Sequence, residues 1–256
     1  MEWYVMIKVR NALLAGMIFC LPATSQAVDM YAFARGGMAS TQITNTDATN
    51  PILVLGDPGY PSVSQNGSLG IVNENNSDDA STAALGIGFV LNKHFRLELE
   101  GSLQRESDFQ IDLQIGGDQF GTGITQPLGT GFNKISIESE IYLLKAYFDM
   151  PINETVVPYF MAGIGYARNK ASGVQTFSAN PSWNEKWDDT TSNDTAWTLG
   201  IGLSYQFDQN LTFDFGLEHR NLGNWELDNL PATGDESFKG DLESTTLLFG
   251  VRYLFH

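Results

Sequence analysis

The last twelve residues read TTLLFGVRYLFH (245–256). From Leu247 every second residue is large and apolar: Leu247, Phe249, Val251, Tyr253 and Phe255. Between them stand Leu248, Gly250, Arg252 and Leu254. Strict period-two alternation is the mark of a strand with two unlike faces. A strand that is greasy on one face and carries glycine and arginine on the other needs an apolar environment outside and a polar one inside.

The same pattern recurs through the 256 residues. In AALGIGFVL (83–91), FRLELEGSL (95–103), WTLGIGLSYQF (197–207) and LTFDFGLEH (211–219) one parity is aliphatic or aromatic. The other is glycine, hydroxyl or charge. With 29–39, 134–149, 158–168 and 245–255 this makes eight strands of about 9–12 residues, long enough to cross a bilayer when tilted. In 134–149 the pairs Ser136/Glu138 and Tyr142/Leu144 share one parity but not one character, which implies a phase shift or a bulge there.

Connections alternate in length. Asn92-Lys93-His94, the stretch around Met150 to Glu154, and Asp208-Gln209-Asn210 are short. The other four, at 40–81, 105–133, 169–194 and 222–243, are long and rich in Asn, Asp, Ser, Thr, Gly and Pro. Long loops argue against most compact domains. In strict alternation with tight turns they instead fit an up-and-down transmembrane barrel, with short periplasmic turns, long outer loops and both termini in the periplasm. Glycines and opposed charges fill a soluble core poorly, but they suit the packed polar lumen of a small membrane barrel. The expected fold is therefore an all-β, eight-stranded antiparallel barrel.

The first 27 residues differ from the rest. Lys8 and Arg10 precede the short apolar run ALLAGMIFCLPA, and Ser25-Gln26-Ala27 supplies small residues for cleavage. This is a secretory signal, so the expected division is 1–27 cleaved and 28–256 barrel. Cys20 follows Phe19, not the small residue a lipid-attachment motif needs, and it leaves with the signal. The remaining chain has no cysteine and no disulfide framework.

Net charge is −16, with a pI of about 4.3. That excludes nucleic acid as a partner, because phosphate binding needs clustered Lys and Arg. Within the barrel, Arg96, Glu98, Glu100, Asp214, Glu218, Arg220 and Arg252 share the inner parity of their strands, and Lys145 is a further candidate. Such groups either mark an ion path or form a network that plugs the barrel; eight strands leave an interior just filled by side chains, which favours the plug. The Gly-Ile-Gly triplets at 86–88, 163–165 and 200–202 are small lumen positions and not phosphate loops, since no helix and no Lys-Ser/Thr pair follows.

No catalytic residue, cofactor site or metal site is expected. The histidines are His94, His219 and His256. In His219-Arg220-Asn221 an esterase-like His-x-Ser pair would need a hydroxyl where Asn221 stands. The acidic outer segments, with Asp47, Asp57, Glu74, Asp78 and Asp79 in one and Asp188, Asp189 and Asp194 in another, lack the spacing of a calcium loop and read as solvated charge.

PYFMAGIGYA (158–167), GIGLSYQF (200–207), LTFDFGLEHRNLG (211–223) and FGVRYLF (249–255) together resemble the small outer-membrane β-barrel family of opacity-type proteins and OmpA-like transmembrane domains. The resemblance spans nearly all of 28–256. It implies residence in the outer membrane among lipid and lipopolysaccharide, a C-terminal signal to the barrel-assembly machinery at Tyr253 and Phe255, and extracellular ligands for the loops. The functional expectation is a non-enzymatic surface protein with a structural or adhesive role. A narrow channel for small solutes is the alternative, and a lipid-modifying enzyme a lesser one.

Overall fold

Hydrogen-bonded strand pairing runs unbroken around a ring in the computed structural model, which describes residues 29–49, 70–117, 126–177, 184–228 and 237–255. The proposed signal at 1–27 lies outside the described residues. Ten strands form in chain order: β1 (Asp29–Thr49), β2 (Gly70–Asn75), β3 (Ser77–Asn92), β4 (Phe95–Gly117), β5 (Gln126–Asp149), β6 (Val156–Phe177), β7 (Glu185–Lys186), β8 (Thr190–Gln206), β9 (Leu211–Asp228) and β10 (Ser237–Phe255). Eight long ones close the barrel, each antiparallel to its neighbours, in the order β1, β3, β4, β5, β6, β8, β9, β10. The terminal strand closes on the first, with Phe255 opposite Met30 and Arg252 opposite Phe33. Closure leaves no unpaired strand edge in lipid. β2 continues β3 along the same edge of β4 after a break at Asn76, and β7 adds two residues to β6.

The three short turns stand where the sequence places them. Each is fixed by one side-chain oxygen that accepts two backbone N–H groups. Asn92 Oδ1 accepts from His94 and Phe95, Asn153 Oδ1 from Thr155 and Val156, and Asp208 Oδ1 from Asn210 and Leu211. These Asx turns explain why Asn and Asp begin the tight connections.

The strands are longer than the alternation suggests. They run 16 to 24 residues, so much of the four expected loops is strand. Most of 105–133, 169–177 and 222–228 continues the barrel wall past the membrane. The cause is an exchange of environment along each strand. In β5 the outward residues Tyr142, Leu144, Ala146 and Phe148 give way to Glu140, Glu138, Ser136 and Lys134, while the inward set changes from Tyr147 and Lys145 to Ile141, Ile137 and Ile135. Pairing of β5 with β6 is continuous through this point. The expected phase shift or bulge lies in the neighbouring strand: Arg105 and Glu106 of β4 together face Glu138, which changes the parity of β4. β5 itself keeps the parity of its two faces and swaps their polarity where the wall leaves the bilayer.

The result is two storeys. The lower carries an apolar outer band and a charged lumen. The upper is polar outside and holds an apolar core that includes Ile43, Phe109, Ile137, Trp187, Trp225 and Leu227. Another shift of parity occurs in β9. Leu222 and Gly223 lie together opposite Leu242, and Gly223 takes φ +73°. A side chain there would also strike Asp194, so glycine is required. Past this bulge Trp225 and Leu227 point inward.

Candidate functional site

The lumen of the lower storey is packed, and small residues make the room. Tyr31 stands opposite Gly88, Phe33 opposite Gly86, Tyr159 opposite Gly202 and Arg35 opposite Gly250. In each case a Cβ on the glycine would meet the facing side chain. Two Gly-Ile-Gly triplets thus provide inner space for a neighbour's large side chain.

Five cations, Arg35, Arg96, Lys145, Arg220 and Arg252, meet five carboxylates, Glu98, Glu100, Asp149, Asp214 and Glu218. Arg35 bonds Glu98 at 2.7 Å and Glu100 at 3.1 Å, and approaches Asp214 at 3.5 Å. Lys145 Nζ joins Glu100 at 2.7 Å and Glu218 at 3.0 Å. Arg220 joins the same two, at 3.3 and 2.7 Å. Arg96 reaches Glu98 and Asp149, each at 3.0 Å. Arg252 Nε lies 2.8 Å from Asp214 Oδ2, close as an ion pair but not aligned as a hydrogen bond. Aromatic faces complete the packing, with the Arg96 guanidinium 3.8 Å from the centre of Tyr147 and that of Arg35 4.1 Å from Phe33. Every charge has an opposite partner, and the count of the two signs is equal. Such a network is worth keeping whole, because an isolated charge in this space would bear its full desolvation cost.

All seven residues singled out from the sequence lie in this network, together with Lys145. Two members were missed. Arg35 shares its parity with Tyr31 and Phe33, while the outward parity of β1 is Met30, Ala32, Ala34, Gly36 and Met38. The rule that the larger apolar set faces lipid fails on this strand. The available signal was the run of glycines on β3, which needs large inward partners. Asp149 ends β5 at the turn, and its inward parity with Lys145 and Tyr147 was the sign to follow.

Above the network Gln104 donates to Thr41 at 2.8 Å, Ser139 to Asn169 at 2.8 Å, and Asn169 to the Leu222 and Asn224 carbonyls. The apolar upper core follows. His219 faces outward and packs against Trp197, with ring centres 5.6 Å apart and planes tilted by 58°, while Asn221 donates to Glu243. Tyr253 and Phe255 point outward at the opposite rim, with ring centres 5.5 Å apart.

The outer wall of the upper storey is charged, and several of its acids are engaged. The Ser136 hydroxyl, then Lys134, holds the Asp108 carboxyl below the usual range. Lys186, then Lys170, does the same for Asp189. Partial burial, then the neighbouring Asp228, pushes Glu226 up. Among the described residues no group of three or more His, Cys, Asp or Glu is placed to hold a metal.

A model of the outer membrane protein beta-barrel domain matches residues 12–255. No curated protein matches the chain. Solved structures do, at low identity. Neisserial surface protein A is 14% identical over 88% of this chain and 97% of its own, with a TM-score of 0.47. OprG from Pseudomonas aeruginosa is 14% identical over 88% and 96%, with a TM-score of 0.43. Ail, the attachment invasion locus protein of Yersinia pestis, is 15% identical over 88% and 98%, with a TM-score of 0.36.

Proposed function

Since the chain belongs to the outer membrane protein beta-barrel domain family and so resides in the outer membrane, we propose that it is a non-enzymatic surface protein. Its barrel is a closed, rigid post that carries the outer loops, and its role is structural or adhesive. The observation that carries this reading is the double closure of the lumen. A neutral charge network fills the lower storey, and an apolar core fills the upper one. An ion would have to displace paired charges and then cross a dry layer, each step costing several kcal/mol. What the described residues present to the surroundings is the polar outer wall of the upper storey. The segments that join its strands at that end are the proposed contact with extracellular ligands, and lipopolysaccharide is the proposed neighbour of the wall.

One observation favours the narrow channel instead. Between the two closures the side-chain oxygens of Ser102, Ser244 and Thr246 and Oε1 of Gln104 are buried without hydrogen-bond partners. Buried polar atoms of this kind are ordinarily met by water. For an enzyme the support is weaker, since Asn221 offers no hydroxyl beside His219 and the imidazole packs against Trp197.

Two measurements test the proposal together. Planar-bilayer recording of the folded protein should give little current, and cells displaying it should gain binding to immobilised host or matrix ligands that is lost on trimming 50–69 or 229–236. A steady large conductance would promote the channel. Unchanged cell binding would leave the structural role and remove the adhesive one.

A further inference from the structure

The periplasmic end of the barrel holds a cavity of about 190 Å³, ringed by all three short turns. Its walls include Lys93, Arg96 and Arg252 but only one carboxylate, Asp149. Glu98 and Asp214 stand just behind the wall as partners of Arg96 and Arg252, so the cations face the cavity while their compensating charges, Asp149 excepted, lie deeper. We propose that this mouth binds a small oxyanion, a carboxylate or phosphate group, between Arg96, Arg252 and Lys93.

Arg96 supplies the central argument. Its side chain is 1% exposed. Nε donates to both oxygens of Asp149, at 3.2 and 3.0 Å, and Nη1 to Glu98 at 3.0 Å and to the Tyr31 hydroxyl at 3.4 Å. Nη2 is buried and donates to nothing. An unpaired N–H on a buried cation is costly, and an oxyanion is its strongest partner, through a charge-assisted bond. Arg252 stands on the other side of Tyr31, with its guanidinium 5.2 Å from the ring centre. Tyr31 therefore sets the two arginines around one space. Lys93 lies on the turn at the rim and makes no ion pair among the described residues, so its charge is free to attract an anion from the periplasm.

Size and depth limit the ligand. The cavity is below the roughly 300–1,000 Å³ of sites for drug-sized molecules, so it suits phosphate, acetate or the charged end of a larger molecule. Further in, the Arg96–Glu98 and Arg35–Glu98 pairs close the lumen. The mouth is thus a blind site and not the start of a path. Asp149 both holds Arg96 and repels the incoming anion, which makes it a useful handle.

The test uses the full folded protein in a zwitterionic detergent, with folding checked by the change in gel mobility on boiling. Inorganic phosphate and acetate are titrated at constant ionic strength while backbone amide resonances are followed. Saturable shifts are expected in the turns at 92–94 and 208–210. Lys93→Gln, on an exposed turn, should weaken binding by about threefold, and Asp149→Asn should strengthen it by a similar factor, the size expected for one partly screened charge. A short peptide with a free terminal carboxylate, compared with its amide, separates the two sources. Binding of the acid form in preference to phosphate and acetate assigns a chain end as ligand; binding of the small ions alone assigns a free anion. Linear shifts spread over the whole surface, or affinities unchanged in both variants, would overturn the site.

Discussion

Lys145 Nζ sits between two carboxylates from strands on opposite sides of the ring, 2.7 Å from Glu100 and 3.0 Å from Glu218. Arg220 holds the same pair from the other direction. Replacing Lys145 by Met keeps the stem and removes the charge, leaving Glu218 with Arg220 alone and Glu100 with Arg220 and Arg35, in a network one cation short of balance. Breaking a buried pair costs about 3–5 kcal/mol. Lys145→Met should therefore lower the urea midpoint of the refolded barrel strongly, whereas Asp188→Asn in the outer wall should change stability by less than about 0.5 kcal/mol. Equal midpoints for the two variants would contradict a stabilising network.

Glycines on the two faces should respond in opposite ways. A Cβ on Gly202 would run into Tyr159 and the Phe215 carbonyl, while one on Gly36, toward lipid, would find only the Thr82 carbonyl at 3.9 Å. Gly202→Ala should destabilise by about 1–3 kcal/mol through overpacking. Gly36→Ala should be neutral or slightly stabilising, because it restricts the unfolded chain without a clash. Folded fraction against denaturant reads both.

The lower storey was legible in the sequence because lipid outside and charge inside give unlike residues on alternate positions. Leu247 to Phe255 against Gly250 and Arg252 is the clearest instance. The upper storey was not, for two physical reasons. Ile135, Ile137 and Ile141 alternate with Lys134, Ser136, Glu138 and Glu140 just as a strand should, but with the apolar set on the parity that is polar lower down. Read with one rule for the whole strand, this looks like a defect. In β9 the bulge at Gly223 does change the parity, and a glycine beside Asn221 and Asn224 is indistinguishable from a loop. Of the charge network, the acids and arginines on alternating strands were readable. Arg35 was hidden by inward aromatics, and the pairing of Arg96 with Asp149 depends on a contact 53 residues away.

Glu226 and Asp228 give a pH dependence outside the membrane. The carboxyl of Glu226 is held above its usual range by burial and then by Asp228, with Lys239 opposing. A raised carboxyl favours the folded state while protonated. Its contribution is complete below the unfolded value, about 4.3, and is lost as pH rises through the higher folded value. Glu226→Gln should therefore stabilise near neutral pH, by a few tenths of a kcal/mol given the exposure, and make no difference at about pH 4, close to the unfolded value. A gain that persists unchanged in acid would reject the explanation.

Phe255, not the residue after it, completes the alternation of β10. Its ring packs on Tyr253 and its backbone pairs with Met30 at the closing seam. If recognition by the assembly machinery reads this aromatic face, Phe255→Ala should reduce the amount of folded barrel in the outer membrane, and deletion of His256 should leave it nearly unchanged. Comparing unboiled samples on gels measures the folded amount. Equal losses would refute a special role for Phe255.

The exchange of polarity along β5 makes the sharpest demand. If 105–133 and the start of β5 were loop, Ile137 and Glu138 would be equally replaceable. In the barrel Ile137 is 2% exposed, inside the upper core with Phe109, Trp187 and Leu227, while Glu138 faces water. Removing three carbons from Ile137 leaves a cavity in close-packed surroundings, and such changes cost about 2–5 kcal/mol. Glu138→Ala touches no packed surface and should stay within about 0.5 kcal/mol. Ile137→Ala should also speed proteolysis of the outer segments on intact cells, since local opening of the upper storey exposes them. The lower storey, with its own network, should keep its altered mobility in unboiled samples. Loss of the whole barrel on Ile137→Ala would mean that the storeys fold as one unit; resistance equal to that of Glu138→Ala would mean that the upper core contributes nothing.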